Sequence, residues 1–251
     1  MAPSFSIAGD GFQMAQSVVE SSVIDGVIAG LVEWEANQST AGKRPKSYGA
    51  RNLLRDWPAV ASLTQSESLR ELVATVLGEA AFPVRALFFD KLAGANWQVG
   101  WHQDLSIAVT ERVEVPGFAG WSVKQGVTHV QPPASVLENM LTLRVHLDNC
   151  GEDNGPLRVL RGSHRHGRLT DEQIEQWQRS GESVTCLVPK GGVLLMRPLL
   201  LHASAPAKNP RHRRVIHLEY AADLLPGGLQ WFEQVATSLA DVSRQRERYE
   251  R

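Results

Sequence analysis

Val193-Leu194-Leu195-Met196-Arg197-Pro198-Leu199-Leu200-Leu201-His202-Ala203-Ser204, followed after a Pro- and Asn-bearing turn by Arg213-Arg214-Val215-Ile216-His217-Leu218-Glu219-Tyr220, is the stretch whose reading decides the fold class. Each apolar run is only a few residues long, and Pro or Asn separates one run from the next. Runs of that length, rich in branched and aromatic residues and bounded by turn formers, are strand-like. The same texture reaches back to Pro83, through residues 84–89, 141–147, 157–160 and 184–188. Many short strands with turn signals predict a sandwich, barrel or jelly roll. No strand–helix alternation of the doubly wound kind is present.

Before Pro83 the pattern is helical. Residues 21–35 carry Val23, Ile24, Val27, Ile28, Leu31, Val32 and Trp34 at the spacing of one buried face. Residues 66–78 repeat it, with Ser66 placed as N-cap and Gly78 as stop. Residues 229–251 read as a further helix ending in a solvated charge run. The chain of 251 residues is therefore expected to be a single, mainly β domain with flanking helices. Its helical part spans about 1–80, its β core about 84–222, and a C-terminal helix follows. The long stretch 106–135, between strands, reads as a loop of the kind that forms a lid.

Composition narrows the function classes. A net charge of -1 gives no electrostatic footprint for nucleic acid, and Arg211-His212-Arg213-Arg214 is the densest basic run noted. Two cysteines, Cys150 and Cys186, make neither a disulfide framework nor a cysteine-rich zinc site. The absence of a charged n-region with a long apolar run, and of any membrane-length apolar stretch, leads to the expectation of a cytoplasmic protein without a membrane partner. Asn37-Gln38-Ser39 matches a glycosylation sequon that such a location leaves unused.

Candidate chemistry begins at Trp101-His102-Gln103-Asp104. In an extended strand, residues two apart share a face, so His102 and Asp104 converge. An imidazole and a carboxylate are two parts of the two-His-one-carboxylate facial arrangement, which leaves three metal positions open. Alone, the tripeptide carries little information, and a solvated loop pair is the ordinary alternative. His202, at the end of an apolar run, would by itself be a satisfied core histidine. Arg213, eleven residues further on, changes the odds, because its planar fork suits a carboxylate, whereas Arg211 and His212 read as a solvated turn.

Taken together, Trp101-His102-Gln103-Asp104, Asn154-Gly155-Pro156-Leu157-Arg158-Val159-Leu160-Arg161-Gly162-Ser163-His164, Pro198-Leu199-Leu200-Leu201-His202-Ala203-Ser204 and Arg213 resemble the phytanoyl-CoA dioxygenase family in order and spacing, over roughly residues 84–221. The resemblance implies a double-stranded β-helix (jelly-roll, cupin-like) core. It implies Fe(II) held by His102, Asp104 and His202, with 2-oxoglutarate as co-substrate and O2 as oxidant. Arg213 is the implied anchor of 2-oxoglutarate, with Ser204, Leu87 and Arg144 bordering it. Some relatives carry an aromatic residue where this chain has Arg144. That arginine is either a second charge facing co-substrate or substrate, or a surface residue on the polar face of its strand. For the Gly162-Ser163-His164 motif the resemblance implies a structural role or one behind the metal ligands, so His164 is not expected to be a ligand. Halogenating relatives replace the carboxylate with a small residue, and Asp104 therefore points to hydroxylation.

The implied reaction is hydroxylation of a small molecule with release of succinate and CO2, by a monomer or homodimer. Two other readings compete: a silent jelly-roll binding module, and a cupin-type metal enzyme that does not use 2-oxoglutarate. Candidates for substrate contact are Trp97 and Gln98, with Trp121, Lys124 and His129 of the lid stretch, each with ordinary loop packing as its alternative. His217 shares the strand face of Arg213, and His146 that of Arg144, so each follows its arginine inward or outward. Arg51 and Asn52 read as a loop anchor outside the site.

Overall fold

The computed structural model describes residues 5–40 and 49–234. In chain order the elements are α1 (Ile7–Asp10), β1 (Phe12–Ala15), α2 (Ser21–Thr40), β2 (Gly49–Ala50), α3 (Leu53–Asp56), α4 (Pro58–Thr64), α5 (Glu67–Leu77), β3 (Phe82–Asp90), β4 (Val99–His102), β5 (Ile107–Val109), β6 (Ala119–Lys124), β7 (Val127–Gln131), α6 (Ala134–Glu138), β8 (Met140–His146), β9 (Leu157–Leu160), α7 (Asp171–Ser180), β10 (Ser183–Cys186), β11 (Val193–Met196), β12 (His202–Ser204) and β13 (Arg214–Ala221). All strand pairs are antiparallel. They form a six-stranded sheet ordered β1-β11-β8-β13-β3-β2, a four-stranded sheet ordered β10-β9-β12-β4, and a three-stranded sheet ordered β5-β7-β6. The first two are the walls of the jelly roll.

Residue alternation explains how the large sheet is covered. On β8, Leu141, Leu143 and Val145 join the core beneath the N-terminal helices, as do Ile216, Leu218 and Tyr220 on β13. Helix α2 meets them with Ile24, Val27 and Leu31, while Val23 and Val32 face solvent. Trp57, next to Pro58 at the first position of α4, stacks on Trp34 at 5.6 Å and meets the edge of Phe88 at 6.3 Å. Truncating a residue so placed costs about 3–5 kcal/mol. Ser66 does occupy the N-cap of α5, but its hydroxyl donates backwards to the carbonyl of Leu63 (2.9 Å). The alternate residues on β8, Thr142, Arg144 and His146, point between the sheets and are buried all the same. A polar set inside a sandwich has a large desolvation cost and marks the site. Phe12, Leu157, Val159, Leu194, Met196 and Leu200 close one end of that space with apolar packing.

Two expectations are corrected. Residues 106–135 are not a structureless loop; they fold into β5, β6 and β7. The β6–β7 hairpin turns on Gln125 and Gly126, both at positive φ (51° and 78°), the type I′ geometry that matches strand twist. This sheet has its own core, with Ile107, Val109, Phe118, Val130 and Leu137 packed against Phe82, Val84 and Trp231. The expected C-terminal helix does not begin at Leu229. Residues 229–234 are non-helical and run beside β5, where Phe232 N–H donates to Ala108 and Thr110 N–H to Gln230. Leu229, Trp231 and Glu233 are buried in alternation, a period of two that leaves no helical face to bury. Residues 235–251 lie outside the described residues.

Candidate metal centre and its cavity

Backbone pairing brings the two histidines together. His202 opens β12 and is the register partner of His102, which closes β4. Their rings lie 4.2 Å apart, centroid to centroid. Each ring is oriented by the carbonyl two residues before it: His102 Nδ1 donates to Gly100 O (2.8 Å) and His202 Nδ1 to Leu200 O (2.9 Å). A carbonyl only accepts, so both Nδ1 atoms carry hydrogen and both Nε2 lone pairs are free for a cation. Asp104 completes the set, with Oδ1 3.8 Å from His102 Nε2 and Oδ2 3.6 Å from His202 Nε2. The three ligand atoms lie within 4.8 Å of one another, the one such group among the described residues.

Electrostatics prepare the same centre. Burial pushes His202 down to about 4 against the pull of Asp104, so its ring is neutral at neutral pH. Burial opposes ionisation of Asp104, yet His202, His217, His102 and Arg85 hold its carboxyl below the ordinary value. Asp104 Oδ2 is buried without a hydrogen-bond partner, as are Arg144 Nε and Arg213 Nε. Orphaned polar atoms of this kind are expensive. A carboxylate and two imidazole nitrogens suit a divalent transition metal, and guanidinium donors beside them suit an anion.

The loop that carries Asp104 is braced by Gln103, a residue with no role among the sequence-based expectations. Its amide donates to Gly167 O (2.8 Å) and Leu199 O (2.7 Å) and accepts from Leu169 N–H (2.9 Å). Asp104 N–H donates to Pro198 O (2.9 Å). On the other side, buried Ser163 accepts from Leu201 N–H (2.9 Å) and donates to Leu160 O (2.7 Å), fixing the residue before His202. The neighbouring His164 lines a separate groove with Ile7, Leu137 and Arg197. It does not enter the metal cluster.

The cluster opens on a cavity of about 360 Å³ that includes Leu87, Phe89, Trp97, Leu157, Ser204, Arg144, Arg213 and His217. Arg213 is turned inward because Asp90 accepts from its N–H (3.1 Å) and from His212 Nδ1 (2.6 Å). Its guanidinium donates to Gly155 O. Lys91, fully buried, donates to Ser204 Oγ (3.3 Å) and Ala205 O (2.7 Å). Burial and then Arg213 push this ammonium down to about 8. Arg144 is buried, not on the surface; burial and Arg213 lower it to about 10. It donates to His217 Nδ1 (3.0 Å), which leaves His217 Nε2 as the hydrogen-bearing atom, 3.4 Å from Glu219 Oε1. Both histidine questions thus resolve inward, with His146 buried on the same strand face as Arg144 but outside the cavity lining.

Of the substrate candidates, Trp97 and Lys124 line the cavity. Gln98 is exposed and outside it. Trp121 packs on the core of the small sheet beneath Arg112. His129 lies behind the wall, accepting from Arg85 Nη2 (3.3 Å). Sequence reasoning set Arg51 aside and overlooked Arg85 and Glu219, all three of which line the cavity. Strand alternation extended two residues beyond His217 would have found Glu219.

Comparison with known proteins places this geometry in context. Residues 25–215 match the family model described as Phytanoyl-CoA dioxygenase (PhyH). A search of curated protein sequences found no match. Among solved structures, AviO1 from Streptomyces viridochromogenes Tue57 is similar at 25% identity and TM-score 0.62, covering 88% of this chain and 92% of that one. EctD from S. alaskensis with bound Fe is similar at 19% identity and TM-score 0.66, covering 86% and 74%. HygX from Streptomyces hygroscopicus with nickel and 2-oxoglutarate bound is similar at 15% identity and TM-score 0.60, covering 87% and 88%. No helix among the described residues is long and apolar enough to cross a membrane.

Proposed function

We propose that this chain, which belongs to the phytanoyl-CoA dioxygenase family, is an Fe(II)- and 2-oxoglutarate-dependent oxygenase that hydroxylates a small molecule. The observation that carries the reading is the convergence of His102 Nε2, His202 Nε2 and a carboxylate oxygen of Asp104 beside a wall of buried guanidinium groups. The similarity to EctD with bound Fe and to HygX with nickel and 2-oxoglutarate supports it. Bound Fe(II) supplies O2 activation coupled to oxidative decarboxylation, so that substrate, O2 and 2-oxoglutarate give hydroxylated substrate, succinate and CO2.

The residues divide the work. His102, Asp104 and His202 would hold the metal, and a set of three protein ligands would leave positions open to co-substrate and oxidant. Neutral His202 needs no deprotonation at neutral pH before it binds. Arg213 anchors the far carboxylate of 2-oxoglutarate, with the hydroxyl of Ser204 beside it and Lys91 holding that hydroxyl. Arg144 adds positive charge on the same side, and Leu87 and Phe89 give an apolar wall that limits water. The carboxylate of Asp104 occupies the position that halogenating relatives leave to a halide, which favours hydroxylation.

The test is anaerobic addition of Fe(II) and 2-oxoglutarate to the purified protein, followed by exposure to O2 with succinate detection. A visible charge-transfer band that disappears in His102→Ala, and succinate formed slowly without substrate, are expected. No band, together with unchanged metal binding in His102→Ala, would falsify the assignment. Turnover of a substrate without 2-oxoglutarate would transfer it to the cupin-type class.

A further inference from the structure

The cavity has two charged ends. Arg213 immediately precedes strand β13 and Glu219 lies on it six residues further on, a run of about 20 Å along extended backbone. The metal cluster lines the same cavity. The Arg213 end holds Arg144, Ser204 and Lys91. At the Glu219 end, Arg85 is the register partner of Glu219 and bonds it at 3.0 Å. Arg51 and Lys124 line the same end.

The charges on the cavity lining do not balance. The cavity is lined by Arg51, Arg85, Lys124, Arg144 and Arg213 against Asp104 and Glu219. Fe(II) and the 2-oxoglutarate dianion cancel one another, so about three positive charges remain. Glu219 is already engaged by Arg85, and no carboxylate in the described residues pairs with Arg51 or Lys124. Burial and then Arg85 oppose the charge of Arg51, which Glu219 supports, and burial, Arg85 and Arg51 oppose that of Lys124. Three cations converging on a half-enclosed space recur where an anionic ligand is to be bound.

We propose that the substrate carries an anionic group, a carboxylate or a phosphate, that docks on Arg51 and Lys124 beside the Arg85–Glu219 ion pair, at the end of the cavity away from Arg213. This rests on the oxygenase reading for what happens next to the metal, but not for the binding itself. The guanidinium of Arg51 supplies a planar fork for two oxygens, and Lys124, at the exposed end of β6, adds a point charge. The anchored group fixes one end of the molecule, and the carbon to be hydroxylated lies further in, toward the His102–Asp104–His202 centre.

The test uses protein loaded with 2-oxoglutarate and Ni(II), which keeps O2 from consuming the complex. Phenyl phosphate, benzoate and neutral benzyl alcohol are titrated by calorimetry. At least one anion is expected to bind more tightly than benzyl alcohol, less so at high salt, and the tighter of the two identifies phosphate or carboxylate. Arg51→Gln with Lys124→Gln should weaken that anion at least about tenfold, as loss of charge-assisted bonds requires. Lys124→Gln alone, at an exposed position where folding is not at stake, should weaken it about threefold to fivefold. Benzyl alcohol should not distinguish the variants. Neither anion exceeding benzyl alcohol, or variants that bind the tighter anion as tightly as the wild type does, would overturn the proposal. If the wild type failed to bind 2-oxoglutarate, the oxygenase reading would fall instead, and the same titrations on metal-free protein would still decide this one.

Discussion

Replacing Gln103 with methionine probes whether the metal centre is built by its ligands alone or by the braces behind them. Methionine keeps chain length and nearly the volume, so packing changes little. What disappears are three hydrogen bonds of 2.7–2.9 Å to backbone groups of Gly167, Leu199 and Leu169, at a residue only 7% exposed. Each is worth about 1 kcal/mol net, so the loss is about 3 kcal/mol, and more where a backbone group is left buried without a partner. For a chain of this size that lowers Tm by roughly 6–12 °C. The same bonds fix the segment between His102 and Asp104, so Fe(II) affinity should fall about 10–100-fold, the usual consequence of losing an outer support. Differential scanning calorimetry of metal-free protein reads the first effect and anaerobic calorimetric titration the second. A Tm within about 2 °C of wild type with unchanged metal affinity would refute the reasoning. A lower Tm with unchanged affinity would confine Gln103 to stabilising the fold.

Arg213→Gln should raise the Kd for 2-oxoglutarate at least about 100-fold while Fe(II) affinity shifts by less than about threefold, in anaerobic absorbance titrations. Equal affinity would remove Arg213 as anchor. Gly155→Ala places a Cβ 2.8 Å from Ala205 O at a residue with φ of +62°. It should cost about 1–3 kcal/mol in thermal unfolding and weaken 2-oxoglutarate severalfold, because Gly155 O accepts from Arg213. A wild-type Tm and wild-type affinity together would show that the loop has room. His146 is held well below its ordinary value by burial and by Arg144 and Arg213, so below about pH 6.5 the unfolded chain binds a proton that the folded chain does not. Stability is then lost as pH falls through that value, and His146→Leu should lessen the drop in Tm between pH 7 and pH 5 in chelator-treated protein. Parallel profiles for the two proteins would exclude His146 as the source.

Much of this molecule was legible in its sequence because the signals are local. The runs at 84–89, 141–147, 193–196 and 215–220 became strands within a residue or two, since their alternation and bounding turn residues are properties of the chain itself. The family resemblance rested on the same local order, and residues 25–215 carry the match. The spacing of His102 and Asp104 suggested one shared face, and Arg213 was visible as a charge entering a strand. Even so, the helix expected over 229–251 does not begin at Leu229, because Leu229, Trp231 and Glu233 are buried in alternation, a period of two that apolar content alone does not reveal. The stretch 106–135 reads as a loop in sequence because its hairpin turns on Gln125-Gly126, a weaker signal than Asn-Gly.

Tertiary structure decided what depends on distance through space. Pairing of β4 with β12 puts His202 opposite His102 across a hundred residues of chain, and no local pattern states that register. It also decided that Arg144 is buried, because the polar face of β8 meets the second sheet rather than water. Arg51, set aside as a loop anchor, and Arg85, on a strand, reach one cavity with Lys124 only because a helical layer, a large sheet and a small hairpin sheet meet there. Sequence by itself determined the long core strands and the family, and it put forward the candidate ligands. Folding determined which of those charges share a space, because Coulomb and hydrogen-bond energies depend on separation and burial, and neither is a property of a residue's place in the chain.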